Sequence, residues 1–199
     1  MTEQEIIQFT ARLAGVDLLT ASKTTGAPEI AWGDSFFYYD PDWDITTDKR
    51  FPFATIVTKN YPGFDEASNV DRDGIFRLNI SVGRRRFEEL IGYPPSQHAE
   101  HEADFDYSTI DTLIPHPVYA TQAWVSILNP GEQSGDQARS LLTEAHARAS
   151  AGTALVGEEG RHSLEISVSR FPMSSCQGRS RHCRDDDAAA PDHRGRHRL

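Results

Sequence analysis

The sequence predicts an α+β domain of two layers, a mostly antiparallel sheet flanked by N- and C-terminal helices, and three observations carry that expectation. Amphipathic helical spacing occurs at both ends of residues 1–152, short β-rich runs follow one another between them without intervening long helices, and residues 75–82 alternate strictly. Strands in direct succession favour antiparallel pairing, because a parallel crossover needs a dozen or more residues, usually a helix.

Thr2-Glu3-Gln4-Glu5 reads as a capping box, and Ile6, Phe9 and Leu13 follow on one helical face until Gly15. From Val16 the runs VDLLTA, EIAW, FFYY and FATIVTK, separated by turn residues and an acidic loop at 40–52, predict a meander of three or four strands. In IFRLNISV, Phe76, Leu78, Ile80 and Val82 alternate with Ile75, Arg77, Asn79 and Ser81. Gly83 leads into RRRFEELIG, a short helix with Phe87, Leu90 and Ile91 on one side. A long irregular acidic stretch reaches Asp111, then IPHPVYA and QAWVSILN predict an extended approach and a last buried strand. Ser134 and Gln137 suggest a second capping box, and Ala138, Leu141, Leu142 and Ala145 a helix to about Ser150.

Residues 1–152 carry 12 Lys and Arg against 23 Asp and Glu, a net charge of −11, while residues 153–199 carry 8 against 7. An acidic body repels phosphate backbones at long range, which argues against nucleic acid as a partner. After Gly152 no apolar period persists, and 153–199 is expected to be a mostly disordered tail following a single domain, 1–152. So abrupt a change is also what an out-of-frame translation would give. The start lacks the basic, apolar pattern of a signal peptide, and no run approaches the roughly 20 apolar residues of a membrane helix, so a soluble cytoplasmic protein is expected. Both cysteines, Cys176 and Cys183, lie in the tail, leaving the body without a thiol nucleophile or cysteine zinc site.

Several motifs are absent or incomplete. Asp40, Asp42 and Asp44 begin like a calcium loop, but Ile45 and Phe51 stand where it needs Gly and Glu. His98, Glu100, His101 and Glu102 lack the i, i+4 histidine pair of a helical zinc site and read as a polar loop. There is no Walker A loop, no G-x-G-x-x-G and no G-x-S-x-G, so no cofactor or metal is implied.

The strings PEIAWGDSFFYYDP, ATIVTKNYP, FRLNISVGRRRFEELIG and LIPHPVYATQAWVSILNPGE are more distinctive, and over about residues 1–150 the chain resembles domain of unknown function 6194. More distantly, the element order and the strand–helix segment LNISVGRRRFEEL are similar to MmcQ/YjbR-like proteins. That likeness implies a compact α+β fold and a DNA-binding role suggested for some of those proteins.

The polar residues of these strings supply the candidate site: Trp32, Lys59, Asn60, Tyr61, Arg77, Asn79, Arg84, His116 and Trp124 for a ligand, with His116 and Asp34 as candidate catalytic groups. Alternation puts Arg77 and Asn79 on one sheet face, and Lys59 joins them if 53–59 and 75–82 pair. Such a face is either a floor for a small ligand or a structural polar network. Arg84, Arg85 and Arg86 at a helix start suggest either pairing with Glu88 and Glu89 or an anion site. Of the aromatic run, one of the pairs Phe36/Tyr38 and Phe37/Tyr39 fills the core. The other pair, with Trp32, covers a helix, meets a partner or lines a cleft.

Three functions follow as expectations. The first is a non-catalytic binding module for a small anionic ligand or a protein partner through 59–61, 77–86 and 116–124. The second is an acid/base enzyme using His116 with Asp34 or Lys59. The third is DNA binding by the MmcQ/YjbR-like analogy.

Overall fold

The computed structural model describes residues 1–43, 45 and 50–158, with side chains to residue 152. The elements in chain order are α1 (Glu3–Ala11), β1 (Val16–Thr20), β2 (Ser35–Tyr39), β3 (Ala54–Val57), β4 (Arg77–Ser81), α2 (Arg84–Ile91), α3 (His98–His101), β5 (Leu113–Pro115), β6 (Trp124–Leu128) and α4 (Gly135–Glu158). The strands form one antiparallel sheet in the order β1-β2-β3-β4-β6-β5, so the expected α+β architecture is the observed one.

The register explains the two faces. Phe37 pairs with Ala54, Ala54 with Ile80 and Ile80 with Val125, while Ile56 pairs with Leu78 and Leu78 with Ile127. These residues form one core with Ile6 of α1, Phe87 of α2 and Ala138, Leu141, Leu142 and Ala145 of α4. All three helices therefore cover a single face, held by burial of apolar surface worth about 1.5–3 kcal/mol per large side chain. The alternate residues, Phe36, Tyr38, Thr55, Arg77, Asn79, Ser126 and Leu128, face the other way and are buried as well. That second face is covered by connecting segments.

Those segments settle the aromatic run. Phe36 and Tyr38 pack with Ala21, Ala31, Leu19, Ala27 and Tyr61, beneath the excursion between β1 and β2, and the Arg50 guanidinium lies 4.4 Å from the Tyr38 ring centroid. Both aromatic pairs thus serve packing. The expected strand EIAW is instead a helical turn, Glu29–Ala31, closed by the Ala31 amide on the Pro28 carbonyl. Ala21 pairs with Asp34 and Gly33 through backbone hydrogen bonds, so β1 and β2 are already joined and residues 22–32 have no strand to pair with. Trp32, half-buried, ties this loop to itself by donating from Nε1 to the Ala27 carbonyl at 2.9 Å.

The capping box at Thr2 and Glu5 is present. The second one is not. Ser134 donates its hydroxyl to Asp111, and the Asp111 carboxylate also accepts from the amides of Gly131, Gln133 and Ser134 at 2.6, 3.1 and 3.0 Å. A carboxylate 20 or more residues upstream thus satisfies free amides at the start of α4, and these hydrogen bonds, the Ser134 hydroxyl foremost, hold Asp111 well below the usual carboxylate range. A Cβ at Gly131 would come within 2.6 Å of Asp111 Oδ2, so the residue there must be glycine for the carboxylate to approach. Asp111→Ala is expected to lower stability by about 1–2 kcal/mol, measurable by urea denaturation. The helix also continues to Glu158, beyond the expected end at Ser150 and across the expected domain boundary at 152. The remainder of the expected tail lies outside the described residues, as do Asp44 and LEISVSRF.

Candidate functional site

Four of the sequence candidates, Arg77 with Asn79 and Asp34 with Tyr61, fall in two hydrogen-bonded clusters inside the fold. Arg77 sits on β4 with 1% of its surface exposed. Its Nε donates to Asn79 Oδ1 at 2.9 Å, Nη1 to Asp65 Oδ1 at 2.9 Å and to Ser68 Oγ at 2.7 Å, and Nη2 to Asp65 Oδ2. Asn79 completes the chain by donating to Thr55 Oγ1 and accepting from Ser126 Oγ. A buried guanidinium is tolerated only with its charge and donors matched, and Asp65 supplies the match in bidentate form. The strand pattern located Arg77 and Asn79; Asp65 and Ser68, in a polar loop with no period, were not foreseen.

The second cluster gathers around Asp34, itself fully buried. Its carboxylate accepts from the Thr58 amide at 2.8 Å, the Thr58 hydroxyl at 3.0 Å and the Tyr61 hydroxyl at 2.5 Å. Burial pushes the Asp34 pKa up against those hydrogen bonds and the nearby Lys59 charge. Lys59 does not join Arg77. Its Nζ lies 3.4 Å from the Glu29 carbonyl, at the surface. Asn60 is a loop staple: its Oδ1 accepts from the Val70 amide, and its amide and Nδ2 both donate to Asp71.

His116 is buried between the β5 end and β6, with its ring centroid 5.0 Å from that of Tyr119 and 6.4 Å from that of Trp124. Its Nδ1 accepts from the amides of Val118 and Tyr119 at 3.0 and 3.2 Å, which fixes the tautomer with the proton on Nε2. Burial, and then the Arg77 charge, lower its pKa well below the usual value. Among the described residues His116 and Asp34 share no hydrogen bond, and Trp124, also buried, completes the packing against the imidazole ring.

The stretch from His98 to His101 is a short helix rather than a mobile loop. The His98 ring is bonded on both nitrogens, to the Tyr93 hydroxyl at 2.9 Å and the Tyr107 hydroxyl at 3.1 Å, and burial lowers its pKa. Among the described residues no group of three or more His, Cys, Asp or Glu is placed to hold a metal. No helix among them is long and apolar enough to cross a membrane.

Open concave surface lies elsewhere. One cavity, of about 470 Å³, is bounded by Val82, Gly83, the three arginines that open α2, Glu89, and Glu144 and Arg148 of α4. Arg85 Nε bonds Glu89 at 2.9 Å, and Arg86 bonds Glu89 at 3.2 Å and Glu144 at 2.9 and 3.3 Å. Both carboxylates are therefore taken by two of the four guanidinium groups. The Arg84 side chain has no hydrogen bond or ion pair among the described residues, and the Arg148 side chain donates only to the carbonyl and hydroxyl of Ser81. Although Arg148 is exposed as a residue, desolvation of its head against β4 lowers its pKa. At Gly83 the backbone has φ 79°, and an added Cβ would collide with Arg148 Nη1. Glycine is required there both for the conformation and for the approach of the arginine. Gly83 carries no capping side chain and the first turn of α2 has no acidic residue, so the positive end of the helix opens on the same space. A second cavity, of about 390 Å³, has Glu3 as its one charged side chain and does not suit an anion.

The family model for a family of unknown function, DUF6194, matches residues 1–155, which take in every element described except the last three residues of α4. The chain belongs to that family. No curated protein and no solved structure matches it, and the likeness to MmcQ/YjbR-like proteins is not shown. In this DUF6194 domain the distinctive strings are largely accounted for by folding. The TKNYP string supplies Thr58, Asn60 and Tyr61 to the Asp34 and Asp71 clusters, HPVY supplies the His116 turn, and Asn129 before Pro130 bonds the Phe76 amide and the Gly74 carbonyl at 2.8 Å each.

Proposed function

We propose that the domain is a non-catalytic binding module for a small anionic molecule, and that the ligand enters the arginine-bounded cavity between the β4–α2 turn and α4. The observation that carries this reading is Arg148: a partly desolvated guanidinium facing a cavity, with no carboxylate partner among the described residues. A partly desolvated cation without a counter-ion is stabilised by an anion that arrives from solution. Arg84, which the sequence singles out together with Arg85 and Arg86, borders this cavity and adds a second free charge.

The other two expectations draw less support. General acid–base work by His116 requires a free ring nitrogen within reach of a substrate, whereas its Nδ1 is engaged by two amides inside the fold. Duplex DNA requires a wide basic face, and four arginines in a body of net charge −11 are gathered at one cavity.

Thermal shift with sulfate, phosphate and citrate tests the proposal. At a hundredfold excess over its dissociation constant, a ligand specific to the native state adds about 2.7 kcal/mol, a rise of roughly 2–4 °C per kcal/mol for a domain of this size. Sulfate and phosphate also stabilise proteins by exclusion from the surface, so the informative quantity is the difference between the natural protein and Arg148→Ala. A shift lost in that variant is the expected result; equal shifts in both would overturn the reading.

A further inference from the structure

Resting on that reading, we infer that the cavity selects a phosphate dianion, as borne by a small phosphomonoester or by free phosphate, over a singly charged carboxylate. The argument is one of charge and room. Four guanidinium groups and two carboxylates border the cavity, and the two carboxylates are bonded by Arg85 and Arg86. Two positive charges, on Arg84 and Arg148, remain without a counter-ion among the described residues, and the uncapped start of α2 adds roughly half a charge more. A carboxylate leaves at least one of these charges unmatched. A phosphate dianion balances both and offers three acceptor oxygens, enough for donors that converge from α2 and α4 together.

The volume extends the inference to the ligand's size. A cavity of about 470 Å³ lies within the range of small-molecule sites and exceeds what a phosphate group alone fills. Val82 gives it an apolar wall on the β4 side. The groups that face the bound anion are Arg84, Arg85, Arg86 and Glu89 from α2 and Glu144 and Arg148 from α4. Glu89 is held below its usual range by the hydrogen bonds from Arg85 and Arg86, and the arginines remain charged at all working pH values. No histidine borders the cavity. The pH dependence of binding above pH 5 therefore belongs to the ligand.

Calorimetric titration of the full chain with glycerol phosphate, sulfate and acetate, from pH 5 to pH 8, reads this out. A phosphomonoester loses its second proton near pH 6, so its dianion fraction and its apparent affinity are expected to rise about tenfold between pH 5 and pH 7. Sulfate, doubly charged throughout, is expected to bind with an affinity that does not change over that range, and acetate at least tenfold more weakly. Arg148→Ala is expected to weaken glycerol phosphate tenfold or more; Arg148→Lys, which keeps the charge, restores part of the loss if charge is what is read. At pH 8, equal affinity for inorganic phosphate and glycerol phosphate assigns the site to free phosphate, and tighter glycerol phosphate to its esters. Binding of acetate as tight as sulfate, or a flat profile for glycerol phosphate, overturns the dianion inference while leaving anion binding in place. Failure of every anion to bind overturns both.

Discussion

Arg77→Met is expected to destabilise the domain by about 3–5 kcal/mol, the cost of leaving a buried charge without its partner. Asp65 is itself buried and has the Arg77 guanidinium as its ion-pair partner among the described residues. The side chains of Ser68 and Asn79 also lose a donor each. For a domain of about this length the melting temperature should fall by roughly 6–20 °C. The double variant Arg77→Met, Asp65→Leu is the decisive comparison. Removing both charges and filling the space with apolar atoms is expected to recover much of the loss, because buried ion pairs contribute little beyond a well-packed apolar substitute. Urea denaturation of the three proteins checks this, and a double variant no more stable than Arg77→Met would show that the network is held by more than the neutralisation of one charge.

Stability should also fall as the solution is acidified from pH 7.5 to pH 5, and His116 should be a main source. An unfolded histidine titrates near 6.5, whereas the folded His116 stays neutral well below that value. Below pH 6.5 the unfolded chain therefore binds a proton that the native protein does not, and native stability declines by up to about 1.4 kcal/mol per pH unit. Over this interval a single histidine can contribute at most about 2 kcal/mol of loss. His98, also shifted down by burial, adds in the same direction, while the raised carboxyl groups of Glu3 and Asp34 act with the opposite sign at lower pH. The clean test is the difference between the natural protein and His116→Asn. Asparagine places an acceptor oxygen near the position of Nδ1, where Val118 and Tyr119 donate, and does not titrate. The variant should therefore show the shallower pH profile whatever its stability at pH 7.5, and parallel profiles would rule out His116 as the source.

Much of this architecture is legible in the residues themselves. Leu78 and Ile80 alternating with Arg77 and Asn79 identify a strand with one apolar and one polar face, but that the polar face is buried as well emerges only in the fold. The spacing of Ala138, Leu141, Leu142 and Ala145 likewise fixes the face α4 turns to the sheet. What local pattern could not supply was the partner of each polar group. Asp65, Glu66, Asp71 and Asp73 are equivalent as sequence, and only the closed fold chooses Asp65 for Arg77 and Asp71 for Asn60. Ser134 had the composition of a cap, yet Asp111 performs that task from outside the helix. Arg148 was passed over because a single arginine on a helix reads as a solvated surface residue; its significance arises from the approach of α4 to Gly83. The candidate site moved for the same reason. Most residues chosen for their polarity were consumed by the fold; of the two free charges, Arg84 was among those chosen and Arg148 was not.

The sheet order has a consequence for how the chain emerges during synthesis. The strands β1 to β4 are laid down in sequence, each beside the one before, and Asp65 is only twelve residues from Arg77, so its charge can be matched early. The other side of β4 is different. Its neighbour is β6, and Asn79 waits 47 residues for Ser126. Until then β4 is an edge, with backbone amides and carbonyls open along one side and a hydrophobic surface of Leu78 and Ile80 not yet covered by α4. A nascent chain stalled anywhere between the two strands presents a template for pairing with its neighbours, and the vulnerable interval ends only when the strand carrying Trp124 to Leu128 slots into the interior of the sheet.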